Sequence, residues 1–318
     1  MFLALMSLLA SALVPGAGAI SPGPLAAQPD EFTGTALYSP AGVDPLQDFS
    51  PGAVPELAHR RPSGPPHSHG SGSTQPPLLR PAPPTPASTA STYVPIVMYH
   101  YIRVNPDPRD RAGYSLSVTP AMFRAQMDYL AGNGFHVVSL RDAVEAIRLH
   151  RALPPHAIVL TFDDGYADFF TSAVPELRRH RFTATNFVVS GFVGRGGYMN
   201  WSQVQAADAM GFNIGAHTVD HVALAGIAPA RAAWEISQSK ATLEAMLGHP
   251  VLDFAYPYGS FNAGVAARAR QLGFASASST IGGAWHWSGT LMNLHRVRVG
   301  GGMSLAGFAQ LVGGPPPR

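Results

Sequence analysis

The chain has 318 residues, with 33 Gly, 30 Pro and no Cys, and 21 Lys+Arg against 19 Asp+Glu. No basic run accompanies the net charge of +2, which argues against a nucleic-acid surface, and the lack of Cys excludes disulfides, thiolate metal sites and a Cys nucleophile. Length alone allows two domains, but 17 of the 30 prolines precede residue 94, so one globular domain behind an unstructured stretch is expected.

Taken in chain order, Met1 to Val14 are apolar apart from Ser7 and Ser11, and uncharged. Pro15 and Gly16 end the run, and Ala17-Gly18-Ala19 has the small-x-small form of a signal-peptidase site. The apolar core is shorter than the ~20 residues of a spanning helix. Residues 1–19 are read as an export signal, with membrane attachment through residues 1–14 as the alternative; no Lys or Arg precedes Arg60, so the usual basic start is missing. Residues 20–93 are rich in Pro, Gly, Ser, Ala and Thr, too polar and too punctuated to offset their ordering entropy, and read as a linker. The expected domain is 94–312, with a tail at 313–318, in an exported monomer.

Within that domain, Val94 to Tyr99 reads as a buried strand. Thr119-Pro120 is an N-cap followed by Pro at the first helical position, with Phe123, Met127 and Leu130 at helical spacing up to Gly132. A strand at 136–139, a helix around Ala143 and Ile147, and a strand from Ala157 to Phe162 follow. The alternation continues with strands at 183–189, 212–216 and 251–255, near 274–277 and at 294–299. The helices between them are expected at 200–210, 229–247 and 262–272. Repeated βα units imply a mainly parallel sheet or barrel, with chemistry at the carboxyl ends of the strands.

Four polar groups fall just past such ends. Asp163-Asp164-Gly165 follows the strand ending at Phe162; adjacent carboxylates can divide into a cation ligand and a proton acceptor, although Asp-Asp-Gly is also ordinary turn chemistry. His217-Thr218-Val219-Asp220-His221 follows Ala216, and two imidazoles four apart can meet on one face of a helical turn. Two His and one Asp form a common ligand set for Zn²⁺ or another divalent ion that keeps a position for water. Phe254 to Gly259 contains a Tyr-Pro-Tyr-Gly turn that can aim an N–H at an oxyanion. Tyr99-His100 ends the first strand, where a histidine can serve as general acid.

Together these motifs resemble the polysaccharide deacetylases, the NodB-homology or carbohydrate esterase family 4 proteins, over about residues 94–300. The resemblance implies an α/β fold, a distorted (β/α) barrel with fewer than eight units, and a divalent metal, zinc first, with cobalt or nickel as alternatives. It implies Asp163 as general base, Asp164, His217 and His221 as metal ligands, and the Tyr258 N–H as oxyanion donor. It also points to Tyr198, Trp201 and Pro257 as groove residues. Two departures stand out: Ala255 occupies the place of an Arg that braces the catalytic Asp in many members, and Leu294-His295-Arg296 does not fit the C-terminal Leu-x-His motif. Both fit a permuted branch in which the opening Met-Tyr-His strand takes over the role of the last one. His100 is then the expected acid, with His295 second, and Arg296 the replacement brace, counted with the groove residues. The implied reaction is removal of N-acetyl groups from an N-acetylglucosamine-containing polysaccharide. An O-acetyl esterase acting on a glycan such as xylan and a silent polysaccharide-binding module are the rival readings, and Trp285 and Trp287 are further candidates for stacking on sugar rings.

Overall fold

The structure, a computed structural model, describes residues 91–107 and 109–317. The expected leader at 1–19 and linker residues 20–90 lie outside the described residues. The first strands are β1 (Thr92–Tyr93), β2 (Ile96–Tyr99), β3 (Tyr101–Ile102), β4 (Ser117–Val118), β5 (His136–Val137) and β6 (Ala157–Phe162). They are followed by β7 (Thr185–Val188), β8 (Asn213–Ala216), β9 (Asp253–Ala255), β10 (Ser276–Gly282), β11 (Trp285–His286) and β12 (Leu294–Arg298). The helices are α1 (Arg111–Leu116), α2 (Pro120–Gly132), α3 (Leu140–Leu149), α4 (Val174–Arg179), α5 (Trp201–Ala209), α6 (Pro229–Leu247), α7 (Ala263–Gln271) and α8 (Leu305–Leu311).

Seven parallel strands close a barrel in the order β2, β6, β7, β8, β9, β10, β12, and β12 pairs back onto β2. β5 adds to the start of β6. The ring is distorted, because the β10–β12 register breaks between Ser278 and Gly282. This is the distorted, incomplete (β/α) barrel that the resemblance implies, built on the parallel strands that the alternation predicts. Its best-patterned pieces sit where local chemistry puts them. β6 is buried along its whole length, as a continuous apolar run in a parallel sheet should be. Thr119 caps α2 by accepting from the Met122 N–H, and α6 starts on Pro229 and ends on a left-handed Gly248.

The lumen is filled by Ile96, Val159, Phe187, Ala255 and Leu294, and residues Leu140, Val144 and Ile147 of α3 pack against them. Phe187 takes so much of this space that a Cβ on its register partner, Gly215, would overlap its ring. The larger apolar layer lies outside the barrel, between strands and helices.

Some boundaries differ from expectation. Ordered pairing begins at Thr92, which bonds in register with His286, so β1 lies inside the expected linker. The tail is tied down as far as Pro315, whose carbonyl accepts from the Tyr129 hydroxyl at 2.5 Å. β3, β4 and α1 occupy a stretch with no clear periodicity, since two-residue strands depend on partners distant in sequence.

Candidate active site

Side chains alternate inward and outward along a strand. With Ile96, Val159 and Leu294 facing the lumen, His100, Asp163 and Arg296 fall on the same inward face near its carboxyl-terminal mouth. Asp163 is buried and gripped by Arg296, whose Nη1 donates to Oδ1 and Nη2 to Oδ2, both at 2.7 Å. Arg296 also donates from Nε to the Ser279 carbonyl at 2.9 Å and from Nη1 to Thr161 Oγ1 at 3.1 Å. Burial alone would raise the Asp163 pKa, but the guanidinium outweighs it and holds the carboxyl below its ordinary value. Each oxygen gives one site to Arg296 and keeps another for a water. Arg296 is 1% exposed, so it lies beneath Asp163 and lines no open groove, which corrects its placement among groove residues.

Beside this pair, Asp164, His217 and His221 bring one ligand atom each to within 4.8 Å of one another. His217 donates from Nδ1 to the Ala255 carbonyl at 2.7 Å, which leaves a lone pair on Nε2. The Nε2 atoms of His217 and His221 stand 3.3 and 3.1 Å from Asp164 Oδ1. That oxygen is buried and forms no hydrogen bond. Three converging ligand atoms around a buried, unsatisfied oxygen fit a divalent cation, and the His₂Asp set suits zinc chemistry.

The two histidines do not meet on a helical turn as their spacing suggests. Thr218 and His221 are left-handed, with φ of 64° and 54°, and the segment is a loop. Side chains hold it: Thr218 Oγ1 accepts from the His221 N–H, and the fully buried Glu235 of α6 accepts from the N–H groups of Val219 and Asp220 at 2.9 and 3.0 Å. Arg231 then bridges Glu235 and Asp220. Glu235 is a site residue that sequence reasoning missed, because a helical Glu well downstream of His221 carries no spacing signal.

Tyr258 braces the cluster by its side chain. Its hydroxyl lies 3.1 Å from His221 Nδ1, bracing the second imidazole. Its φ is 58°, and the turn's own bonds run from Gly259 to Tyr256 and from Ser260 to Pro257, so the Tyr258 amide takes part in neither. Pro257 is buried under this turn and lines no groove.

His100 leaves a buried Nδ1 without a partner. Burial lowers its pKa; Asp164 and Asp163 pull it up, and Arg298 and Arg296 push it down. Both carboxylates therefore act on His100. His295 lies on the outward face of β12, with its ring 6.1 Å from His286 and 6.4 Å from Trp287. Only burial shifts its pKa, and the two carboxylates do not.

Aromatic rings form an arc beside the cluster. Tyr101 stacks on Tyr166 at 3.6 Å, Tyr166 meets Tyr198 at 5.1 Å, and Tyr198 meets Phe192 at 5.1 Å. Tyr198 thus borders the site, whereas Trp201 packs against the apolar layer outside the barrel. Trp285 packs edge-on against Tyr93 of β1.

Comparison with known proteins agrees with this geometry. The polysaccharide deacetylase family model matches residues 150–277. YxkH of Bacillus subtilis, whose name assigns it to the polysaccharide deacetylases, is 29% identical over 219 residues, covering 69% of this chain and 76% of that protein. The poly-beta-1,6-N-acetyl-D-glucosamine N-deacetylase of Escherichia coli is 41% identical over 69 residues, 22% of this chain but only 10% of that protein. Among solved structures, the Streptococcus pyogenes deacetylase PplD, determined with acetate, superposes with a TM-score of 0.65 at 28% identity, covering 70% of this chain and 98% of its own. Residues 150–277 thus match the polysaccharide deacetylase family model, and the barrel is similar to polysaccharide deacetylases in sequence and fold.

Proposed function

We propose that the protein removes N-acetyl groups from an N-acetylglucosamine-containing polysaccharide and releases acetate. The observation that carries this reading is the pairing of an ionised, Arg-braced carboxylate with a neighbouring His₂Asp cluster. A structural metal site needs no base beside it. The local similarity to a poly-N-acetylglucosamine deacetylase supports the substrate class.

In this scheme Asp164, His217 and His221 hold the ion, zinc in our reading, which when bound polarises the acetyl carbonyl and acidifies water. Asp163 takes the proton of the attacking water as the new C–O bond forms. The Tyr258 N–H faces the developing oxyanion. His100 gives a proton to the nitrogen as the C–N bond breaks, leaving acetate and a free amine. The opening strand then supplies the acid, which is why we read this chain as a permuted branch: β2 lies between β6 and β12. We also read residues 1–19 as an export signal and the following segment as a tether that places a monomeric enzyme near envelope glycans. No helix among the described residues is long and apolar enough to cross a membrane.

Acetate release from N-acetylglucosamine oligomers and from acetylated xylan tests the reading. The proposal requires release from the former, lost in Asp163→Asn; release from xylan alone would replace it with O-acetyl esterase activity.

A further inference from the structure

His100 is the single residue that separates β2 from β3, so its aim depends on how both strands are held. The barrel holds β2: Tyr99 pairs in register with Phe162, and its carbonyl accepts from the Asp163 N–H at 3.0 Å. β3 lies outside the barrel, and its two residues pair with the two residues of β4. So short a ladder fixes a backbone poorly by itself.

The loop that carries Asp163 and Asp164 supplies the rest. The Tyr101 ring stacks on Tyr166 with planes 20° apart, and the Arg103 guanidinium lies 3.4 Å from the Tyr101 ring centroid. One residue further along β3, the Ile102 N–H donates to the Asp168 carboxylate. Asp168 stands just before the π-helical turn Phe169–Ala173, a type of turn that is frequent at functional sites. Its Oδ1 is buried and forms no hydrogen bond. Burial pushes its pKa up to about 6, and the Ile102 N–H, then Arg103 and the Phe169 N–H, draw it back down. Such a carboxylate costs free energy to keep. Asp168 is no member of the His₂Asp cluster, so its use lies in what it holds, the backbone of β3.

We propose that Asp168 is a positioning residue for the reaction: it anchors β3 through the Ile102 N–H and so keeps the His100 imidazole beside Asp163 and Asp164. The proposal rests on the reading of His100 as general acid, and names the group that aims it. Removing the anchor frees β3 to shift, and a misplacement of about 1 Å can cost about 100-fold in rate. The cost falls on one step. An amide nitrogen leaves with a proton from His100, whereas a nitrophenolate leaves without one. Attack on the carbonyl, which uses Asp163 and the His₂Asp cluster, is common to both.

The test uses the zinc-loaded, full-length protein and two substrates, an N-acetylglucosamine oligomer and nitrophenyl acetate. Asp168→Ala should lower kcat on the oligomer by roughly 10–100-fold with KM unchanged, and leave the ester rate within about twofold of wild type. Asp168→Asn keeps an acceptor for the Ile102 N–H and should restore most of the lost rate. Asp168→Leu, similar in shape but without an acceptor, should repeat the alanine result and replaces it if the alanine protein does not fold. Equal losses on both substrates, or none on either, overturn the proposal. A second readout needs no substrate: the ring NMR signal of His100 in histidine-labelled protein, assigned by its absence from His100→Gln. It should move in Asp168→Ala and return in Asp168→Asn, while that of His295 stays. An unmoved His100 signal overturns the proposal whatever the rates. A moved signal in protein whose wild type releases no acetate from the oligomer keeps the anchor and removes the deacetylase reading.

Discussion

The two ends of the barrel both bury charge, and they treat it differently. At the amino-terminal end, Asp253 is fully buried and satisfied: Oδ1 accepts from Arg141 Nη1 at 3.0 Å and from Ser276 Oγ at 2.7 Å, and Oδ2 from Asn213 Nδ2 at 3.0 Å. At the carboxyl-terminal end, Asp164 is also buried, yet its Oδ1 has no hydrogen bond and faces two imidazole nitrogens. Buried polar groups are normally matched, so the unmatched set is the one shaped for something outside the polypeptide. Charge and burial alone do not separate the two ends; hydrogen-bond satisfaction does. The first end is matched within the chain, and the second is not.

Opposite substitution outcomes follow, and the largest concerns Asp164. Asp164→Asn should abolish measurable acetate release, while the metal-free protein melts at or above the wild-type temperature because a buried charge is removed. A metal-free variant that melts well below wild type would erase the contrast. Asp253→Asn should do the reverse, costing about 3 kcal/mol by urea denaturation with kcat of the folded fraction unchanged. Slightly smaller is the acid response of His286, whose pKa burial pushes down to about 4. Above pH ~6.5 neither state is protonated; below it the unfolded chain binds the proton first, so stability falls as pH drops towards ~4, by about 3 kcal/mol in all. His286→Gln should flatten the urea midpoint over that window relative to wild type. Next comes Glu235→Gln, expected to weaken zinc binding by about 10–100-fold in a chelator competition, because Oε2 accepts from both loop N–H groups and Oε1 from Arg231, and an amide keeps an acceptor for only one of the two sides. The smallest effect is that of Tyr258→Phe, a severalfold loss of zinc affinity, since it removes one bond to His221 and leaves the backbone amide in place.

Much of this arrangement is legible in the sequence. The apolar run at β6, the Thr119-Pro120 start of α2 and the Pro229 and Gly248 limits of α6 are local signals, and each element lies where they place it. The Asp pair and the His pair at strand ends mark where the His₂Asp cluster and the Arg-braced carboxylate lie. The shape of the His loop was not legible, because helical spacing is the commoner way for residues four apart to meet. Here two left-handed residues and the buried Glu235 impose another way. The grip of Arg296 on Asp163 joins the last barrel strand to β6, a contact that only barrel closure creates. The contact between Asp168 and the Ile102 N–H likewise depends on β2 lying beside β6.

The central claim is that the unmatched end of the barrel is a metal-dependent deacetylase centre. Its most direct test is zinc titration of chelator-stripped protein, with acetate release from an N-acetylglucosamine oligomer as readout. Release should be absent at the start and rise to a plateau at one zinc per chain in the wild type, and stay at background in Asp163→Asn. Full release from the stripped protein, or a plateau unchanged in Asp163→Asn, would contradict it.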